Sequence, residues 1–274
     1  MVVLIDECDQ PIIDNLHNPE VVAGNRRLLQ SFFKALKSLD KHIKFTFITG
    51  VSRFSKVSIF SGANHLEDIS MDVQYAPMMG YTQEELGKYF AEHIQAITQE
   101  RTQQGQPWTE EEVLAEIKAW YNGYRFSEEA IYVYNPFSTL NYLRKKKPQG
   151  YWYATGTPAF LVDELKERPH EVISLSQRLA SQDDLADINE INAIPLPALF
   201  FQTGYLTIQD YKVASVYGLL YPRAMLLMNL MVFVSNQSEG ELFIGYEFLV
   251  RLLAICADAY DLVPCLLEGL IVIL

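Results

Sequence analysis

The sequence has 274 residues, which at roughly 150 residues per domain suggests one large domain or about two smaller ones. With 49% apolar and 20% charged residues it is no disordered tail, and three cysteines, Cys8, Cys256 and Cys265, exclude a disulfide framework. The composition reads as a reduced, cytoplasmic globular protein, and a net charge of −12 disfavours a nucleic-acid binder that relies on its own surface charge.

The charge is unevenly placed. Residues 1–50 carry six acids and six bases, whereas residues 81–130 carry ten acids and four bases. Arg144-Lys145-Lys146-Lys147 is the basic run, and it reads as a solvated turn or helix end. The longest apolar stretches, 224–234 and 262–274, fall short of the roughly 20 residues of a membrane-spanning helix. No basic segment precedes an apolar run at the start, so neither a signal peptide nor a membrane anchor is expected.

In chain order, Val2-Val3-Leu4-Ile5 reads as a strand covered on both faces in a parallel sheet. Gly24 to Asp40 reads as a helix, because Leu28, Phe32 and Leu36, flanked by Leu29 and Phe33, recur at four-residue spacing. Ile43 to Thr49 is a second strand ended by Gly50. Strand, helix, strand implies a right-handed crossover between parallel neighbours. Both strands then deliver their C-terminal ends to the sheet edge where open α/β sheets bind ligands.

The middle of the chain is mostly helical. Thr82-x-x-Glu85 and Thr109-x-x-Glu112 fit capping boxes, predicting helices over about 83–101 and 110–120. Asn122-Gly123 signals a tight turn, and the aromatics around it read as packing rather than as a base-stacking surface. Asn135-Pro136 and Thr157-Pro158 each place a capping side chain before a proline at the first helical position. A helix over about 195–203 stops at Gly204 and leads into strands 205–208 and 213–217, a helix followed by a winged-helix-like β-hairpin. Only eight of the 54 residues from 221 onward are charged, and Met225, Met228 and Met231 recur there at three-residue spacing, as in a core-facing helix.

The candidate chemistry lies at Asp6-Glu7. An apolar strand ending in two acids sets the carboxylates at the ligand edge, where Asp6 can hold a magnesium ion through water and Glu7 can polarise a water toward a γ-phosphate. Thr49 and Ser52 lie at the end of the second strand, where a hydroxyl can sense the phosphate or orient that water. The histidines are scattered without ligand spacing, so no zinc site is expected. Cys8 stands beside acids that raise its pKa rather than activate it.

Seven blocks in order carry a resemblance: Leu4-Ile5-Asp6-Glu7 with Asp9-Gln10-Pro11, then 47–70, GYTQEEL (80–86), WYNGYRFS (120–127), VYNPFSTL (133–140), YWYATGTPAFL (151–161) and LFFQTGYLTI (199–208). Over residues 2–222 the sequence resembles the predicted AAA-ATPase-like family of bacterial P-loop NTPases, which often carries a PD-(D/E)XK nuclease-type domain at its C-terminal end. The resemblance implies ATP and Mg2+ as cofactors, Asp6 and Glu7 as the Walker B pair, and Thr49 and Ser52 in the sensor region. Arg53 and Lys56 match basic positions of the same block, as phosphate contacts or as solvated loop charges.

The departures are specific. A P-loop needs G-x-x-x-x-G-K-[ST] so that backbone amides cradle the phosphates. The one Gly-Lys pair, Gly87-Lys88, has Thr82 where the first glycine should stand and Tyr89 where a hydroxyl is needed. The expected organisation is therefore a partial α/β ATPase core over 1–75, truncated before the Walker B strand, a helical lid and winged region over 76–222, and an apolar tail over 223–274. A missing neighbour for the first strand would expose apolar residues such as Val3 and Ile5 and favour self-association. The partners expected are another copy or an unidentified protein, with no membrane and no nucleic acid through this surface. Two readings follow: a fragment of an ATPase with hydrolysis lost, or a non-catalytic interaction module or gene remnant. The isolated chain is expected to bind ATP poorly and to hydrolyse it negligibly; titration calorimetry checks this, and a micromolar, magnesium-dependent affinity would overturn it.

Overall fold

The computed structural model describes residues 1–15, 18–51, 66–105, 107–152, 178–186, 195–212 and 216–220. They mix helix and sheet, consistent with an α/β protein. The Thr157-Pro158 cap and the methionine-bearing tail lie outside them.

The first layer is a parallel pair. β1 (Val2–Ile5) lies beside β2 (Phe45–Ile48) with Val2 opposite Phe45 and Ile5 opposite Ile48. Between them run a short α1 (Gln10–Ile13) and the long α2 (Pro19–Ser38). The second helix starts five residues earlier than Gly24, because Asn18 accepts a hydrogen bond from the Val21 amide and Pro19 occupies the first turn.

Two readings of this layer need correction. The buried side of α2 is Val22, Phe33 and Leu36 with Leu29 partly buried, whereas Leu28 and Phe32 are exposed. A helix turns 3.6 residues, so a strict four-residue series drifts off the packed face. Likewise Val3 and Ile5 pack toward Ile12, Phe33 and Leu36, and the exposed apolar residues of the sheet are Val2, Leu4 and Phe45. Side chains alternate along a strand. The continuous apolar run is therefore covered on one face and open on the other among the described residues.

A helical layer follows. The predicted helix 83–101 is two: α3 (Gln83–Tyr89) and α4 (Ala91–Gln103) meet at Phe90, whose ring packs edge-on against Tyr81 at 5.1 Å. α5 (Glu110–Tyr121) follows, and both capping boxes are complete. Asn122-Gly123 is not a hairpin turn. It belongs to β3 (Asn122–Tyr124), which pairs antiparallel with β4 (Val133–Tyr134) across a bulge where Gly123 takes φ +119°. α6 (Pro136–Lys145) is capped by Asn135 and ends at Lys146 in the left-handed conformation. The basic run is therefore a helix end, with Lys146 paired to Glu100 and Lys145 over the Tyr151 ring at 4.5 Å. The core here holds Leu86, Ile94, Ile97, Val113, Ile117, Tyr121, Tyr134 and Tyr142.

The third part is a sheet and a buried helix. β5 (Leu179–Ser181) leads into a short α7 (Gln182–Ala186), then α8 (Leu196–Gln202), β6 (Thr207–Lys212) and β7 (Val216–Leu220), in the antiparallel strand order β5-β7-β6. The predicted helix is present, whereas the two strands run over 207–212 and 216–220 rather than 205–208 and 213–217, and β5 is an addition. The WYNGYRFS block packs: Tyr124 and Phe126 join the cluster around Phe200, Phe201 and Tyr205. Arg125 is buried and donates to the carbonyls of Ser127, Glu128, Glu129 and Gln209, which ties the loop after β3 to β6.

Gly80 marks the tightest approach, next to the bridge between Tyr81 and Tyr134. A β-carbon there would lie 2.5 Å from the Tyr134 carbonyl oxygen and 2.8 Å from the Val133 side chain. Gly80→Ala is expected to destabilise the protein by about 1–3 kcal/mol. Gly87→Ala, in the middle of α3 with no atom within 4 Å of the new carbon, is expected to be neutral or to stabilise by about 0.5–1 kcal/mol. Urea denaturation of the two variants checks the contrast.

Candidate functional site at the strand ends

The C-terminal ends of β1 and β2 are knitted together directly after their ladder stops. The Thr49 amide donates to the Ile5 carbonyl at 2.8 Å, and the Cys8 amide donates to the Thr49 carbonyl at 3.0 Å. Between these two bonds the Thr49 hydroxyl donates to Asp6 Oδ1, and its oxygen accepts from the Glu7 amide at 3.3 Å. That amide also lies 3.1 Å from Asp6 Oδ1.

The arrangement requires a sharp change of direction. Glu7 adopts φ +49°, one of two non-glycine residues with positive φ among the described residues. For an L-residue this conformation costs on the order of 1–2 kcal/mol. The kink sends two successive pairs of side chains opposite ways. Asp6 and Glu7 stay exposed, whereas Cys8 and Asp9 turn inward and are buried. The Gln10 amide closes the turn on the Glu7 carbonyl at 3.0 Å.

Of the sequence-derived candidates, the structure brings together Asp6, Glu7 and Thr49. Ser52, Arg53 and Lys56 lie outside the described residues. Thr49 spends its one hydroxyl proton on Asp6, so in this arrangement it orients the carboxylate. Asp9 was not singled out from the sequence as a site residue: it is wholly buried, and its Oδ1 accepts from the Val51 amide at 2.9 Å. An acid two residues beyond an acidic pair carries no signal of burial, and its neighbour Pro11, which opens α1, was the available hint.

The cysteine between these acids is buried as well. Burial first, and then the neighbouring Asp9 carboxylate, push the Cys8 thiol up to about 12. The sequence assigned that rise to the acids, but desolvation is the larger cause. Such a thiol is neither a nucleophile nor a metal ligand at neutral pH.

Among the described residues no group of three His, Cys, Asp or Glu side chains is gathered to hold a metal ion by itself. Asp6 and Glu7 supply hard carboxylate oxygens at an exposed edge. This donor set fits Mg2+, which is commonly held by one or two carboxylates with water and substrate phosphates completing its shell. It does not suit zinc, which takes four protein ligands in structural sites and three in catalytic ones.

Comparison with known proteins bears on this end of the chain. Residues 1–60 match the family model described as "Predicted AAA-ATPase". A protein of Azotobacter chroococcum mcd 1, designated "Uncharacterized protein in vnfD 5'region", is 41% identical over 225 residues, 81% of this chain and 40% of that protein. The chain thus spans about two fifths of the length of the relative it matches. No solved structure matches. Among the described residues no helix is long and apolar enough to cross a membrane.

The left-handed backbone at Glu7 makes a prediction of its own. Glu7→Gly is expected to be tolerated, whereas Glu7→Val, β-branched in the left-handed region, is expected to be less stable than Glu7→Gly by about 1–2 kcal/mol. Paired urea titrations measure the difference.

Proposed function

We propose that the ends of β1 and β2 form the metal and water side of an ATP-Mg2+ site, and that these residues act as part of a longer ATPase-like protein whose phosphate-binding loop lies outside them. The observation that carries this reading is the meeting of Asp6, Glu7 and Thr49 at the ligand edge of a parallel pair, within the segment that matches the Predicted AAA-ATPase model. The absence of G-x-x-x-x-G-K-[ST] from the sequence and the two-fifths coverage of the relative support the second half of it.

In this reading Asp6 would hold the metal ion through the carboxylate that the Thr49 hydroxyl orients. Glu7, next along the chain and exposed, accepts a proton from a water aligned on the terminal phosphate. Thr49 keeps the Asp6 carboxylate in one rotamer, and Ser52, Arg53 and Lys56 follow it in sequence. Bound Mg2+ would neutralise phosphate charge; the protein groups orient and accept protons. Without phosphates held by a P-loop, Asp6 would retain the metal weakly, and hydrolysis by this chain alone is negligible. The helical region and the winged-helix-like hairpin contact a protein partner or a second copy, in a cytoplasmic setting.

A second reading, a non-catalytic interaction module, draws on the exposed Val2, Leu4 and Phe45 on the open side of the sheet. The two separate by metal binding. With excess ATP and the isotopically labelled chain, Mn2+ is expected to broaden amide signals around residues 6–9 and 49–51, in Glu7→Gln as in the unaltered protein but not in Asp6→Asn. Broadening that is absent, lies elsewhere or survives Asp6→Asn would overturn the nucleotide reading.

A further inference from the structure

We propose that Asp9 is a positioning residue for this site: its buried carboxylate holds the segment after β2 against the end of β1, and so keeps the Thr49 hydroxyl on Asp6. The metal-binding consequence rests on the nucleotide reading above; the positioning itself does not.

Three observations carry the inference. First, Asp9 is wholly buried, where an ionisable side chain is costly unless its oxygens are hydrogen-bonded. Its Oδ1 meets the Val51 amide at 2.9 Å, a bond across 42 residues of sequence. Second, this bond lies beyond the last ladder pair, Ile5 with Ile48. Among the described residues five bonds follow that pair: Thr49 N–H to the Ile5 carbonyl, the Thr49 hydroxyl to Asp6, Glu7 N–H to the Thr49 hydroxyl oxygen, Cys8 N–H to the Thr49 carbonyl, and Val51 N–H to Asp9. The Asp9 bond is the outermost of them, and its acceptor is a buried side chain. Third, the chain between Asp6 and Asp9 passes through the strained Glu7, a conformation that persists only where its surroundings over-determine it.

The logic is that of a hasp. A two-stranded ladder frays from its end, and Thr49 is the first residue past it. Removing the outer bond lets residues 49–51 swing away, taking with them the hydroxyl that orients Asp6 and the carbonyl that accepts from Cys8. Asp9 thereby acts on the exposed carboxylates without touching a ligand, from the opposite side of the Glu7 kink. Asn at this position retains an oxygen acceptor for the Val51 amide, and Leu, of similar size, does not.

Hydrogen exchange of the full chain tests the positioning. In Asp9→Leu the Glu7 and Cys8 amides, both donated to Thr49, are expected to exchange about tenfold or more faster than in the unaltered protein. The ladder amides of β1 and β2 keep their rates, and Asp9→Asn restores protection. Unchanged Glu7 and Cys8 exchange in a folded Asp9→Leu would overturn the inference. Should Asp9→Leu fail to fold, the unaltered protein decides: a Val51 amide as protected as that of Thr49 supports the hasp, and one exchanging at the rate of an unbonded amide overturns it. The Mn2+ titration separates this from the nucleotide reading. Loss of protection in Asp9→Leu without metal binding in the unaltered protein would remove the nucleotide site and leave the hasp. Metal binding equal in the unaltered protein and in an Asp9→Leu that has lost protection would overturn the metal-binding consequence and leave the nucleotide site.

Discussion

The constraint on which the candidate site depends is the stitching of two strand ends by Thr49. A parallel pair of four-residue strands has few ladder bonds, and two-stranded sheets are marginal in water without packing against another element. Here α2 covers one face, and the bonds that Thr49 makes through its amide, carbonyl and hydroxyl extend the pairing past the ladder. Because those bonds converge on residues 5–8, they also dictate the left-handed turn at Glu7. That turn sorts four successive side chains, placing Asp6 and Glu7 outside and Cys8 and Asp9 inside. The exposed acids and the buried ones are two sides of one backbone event.

Much of this was legible in the sequence because the signals were local. Capping boxes at Thr82 and Thr109 and the Asn135-Pro136 cap specify helix starts through side chains that satisfy named backbone donors. The parallel arrangement of the first two strands, and with it the meeting of Asp6 and Thr49, followed from strand, helix, strand order. What failed was longer-ranged. Leu28 and Phe32 look like one face at four-residue spacing, yet the packed face follows 3.6, so they point away. Asn122-Gly123 carries the composition of a turn, but the partner strand at Val133–Tyr134 recruits it into a bulge. The burial of Asp9 depends on an amide 42 residues away, which no local pattern announces.

Arg125 shows the same lesson in the helical half. In sequence it is a cation between aromatics; in the fold it is a buried guanidinium whose donors end on backbone carbonyls rather than on a carboxylate. Arginine suits such a role because its planar donor array stays charged and reaches several acceptors at once. By gathering carbonyls from residues 127–129 and from Gln209, it closes the loop after β3 onto β6. The neighbouring Tyr124 and Phe126 fill the space between. The block that the sequence read as packing is thus an internal splice between two parts of the chain.

The helix α8 deserves a reading in terms of cooperativity. Leu196 through Phe201 are all buried, but not in one place: Leu199, Phe200 and Phe201 pack with the hairpin, whereas Ala198 packs with Cys8, Ile12 and Phe33 beneath the first sheet. A helix apolar all round is a shared wall. Local opening of the hairpin would draw that wall away from the cluster that lies beneath the two-stranded sheet. Through Ala198 the cluster beneath the strand ends that present Asp6 and Glu7 shares a helix with a hairpin some two hundred residues later in the sequence.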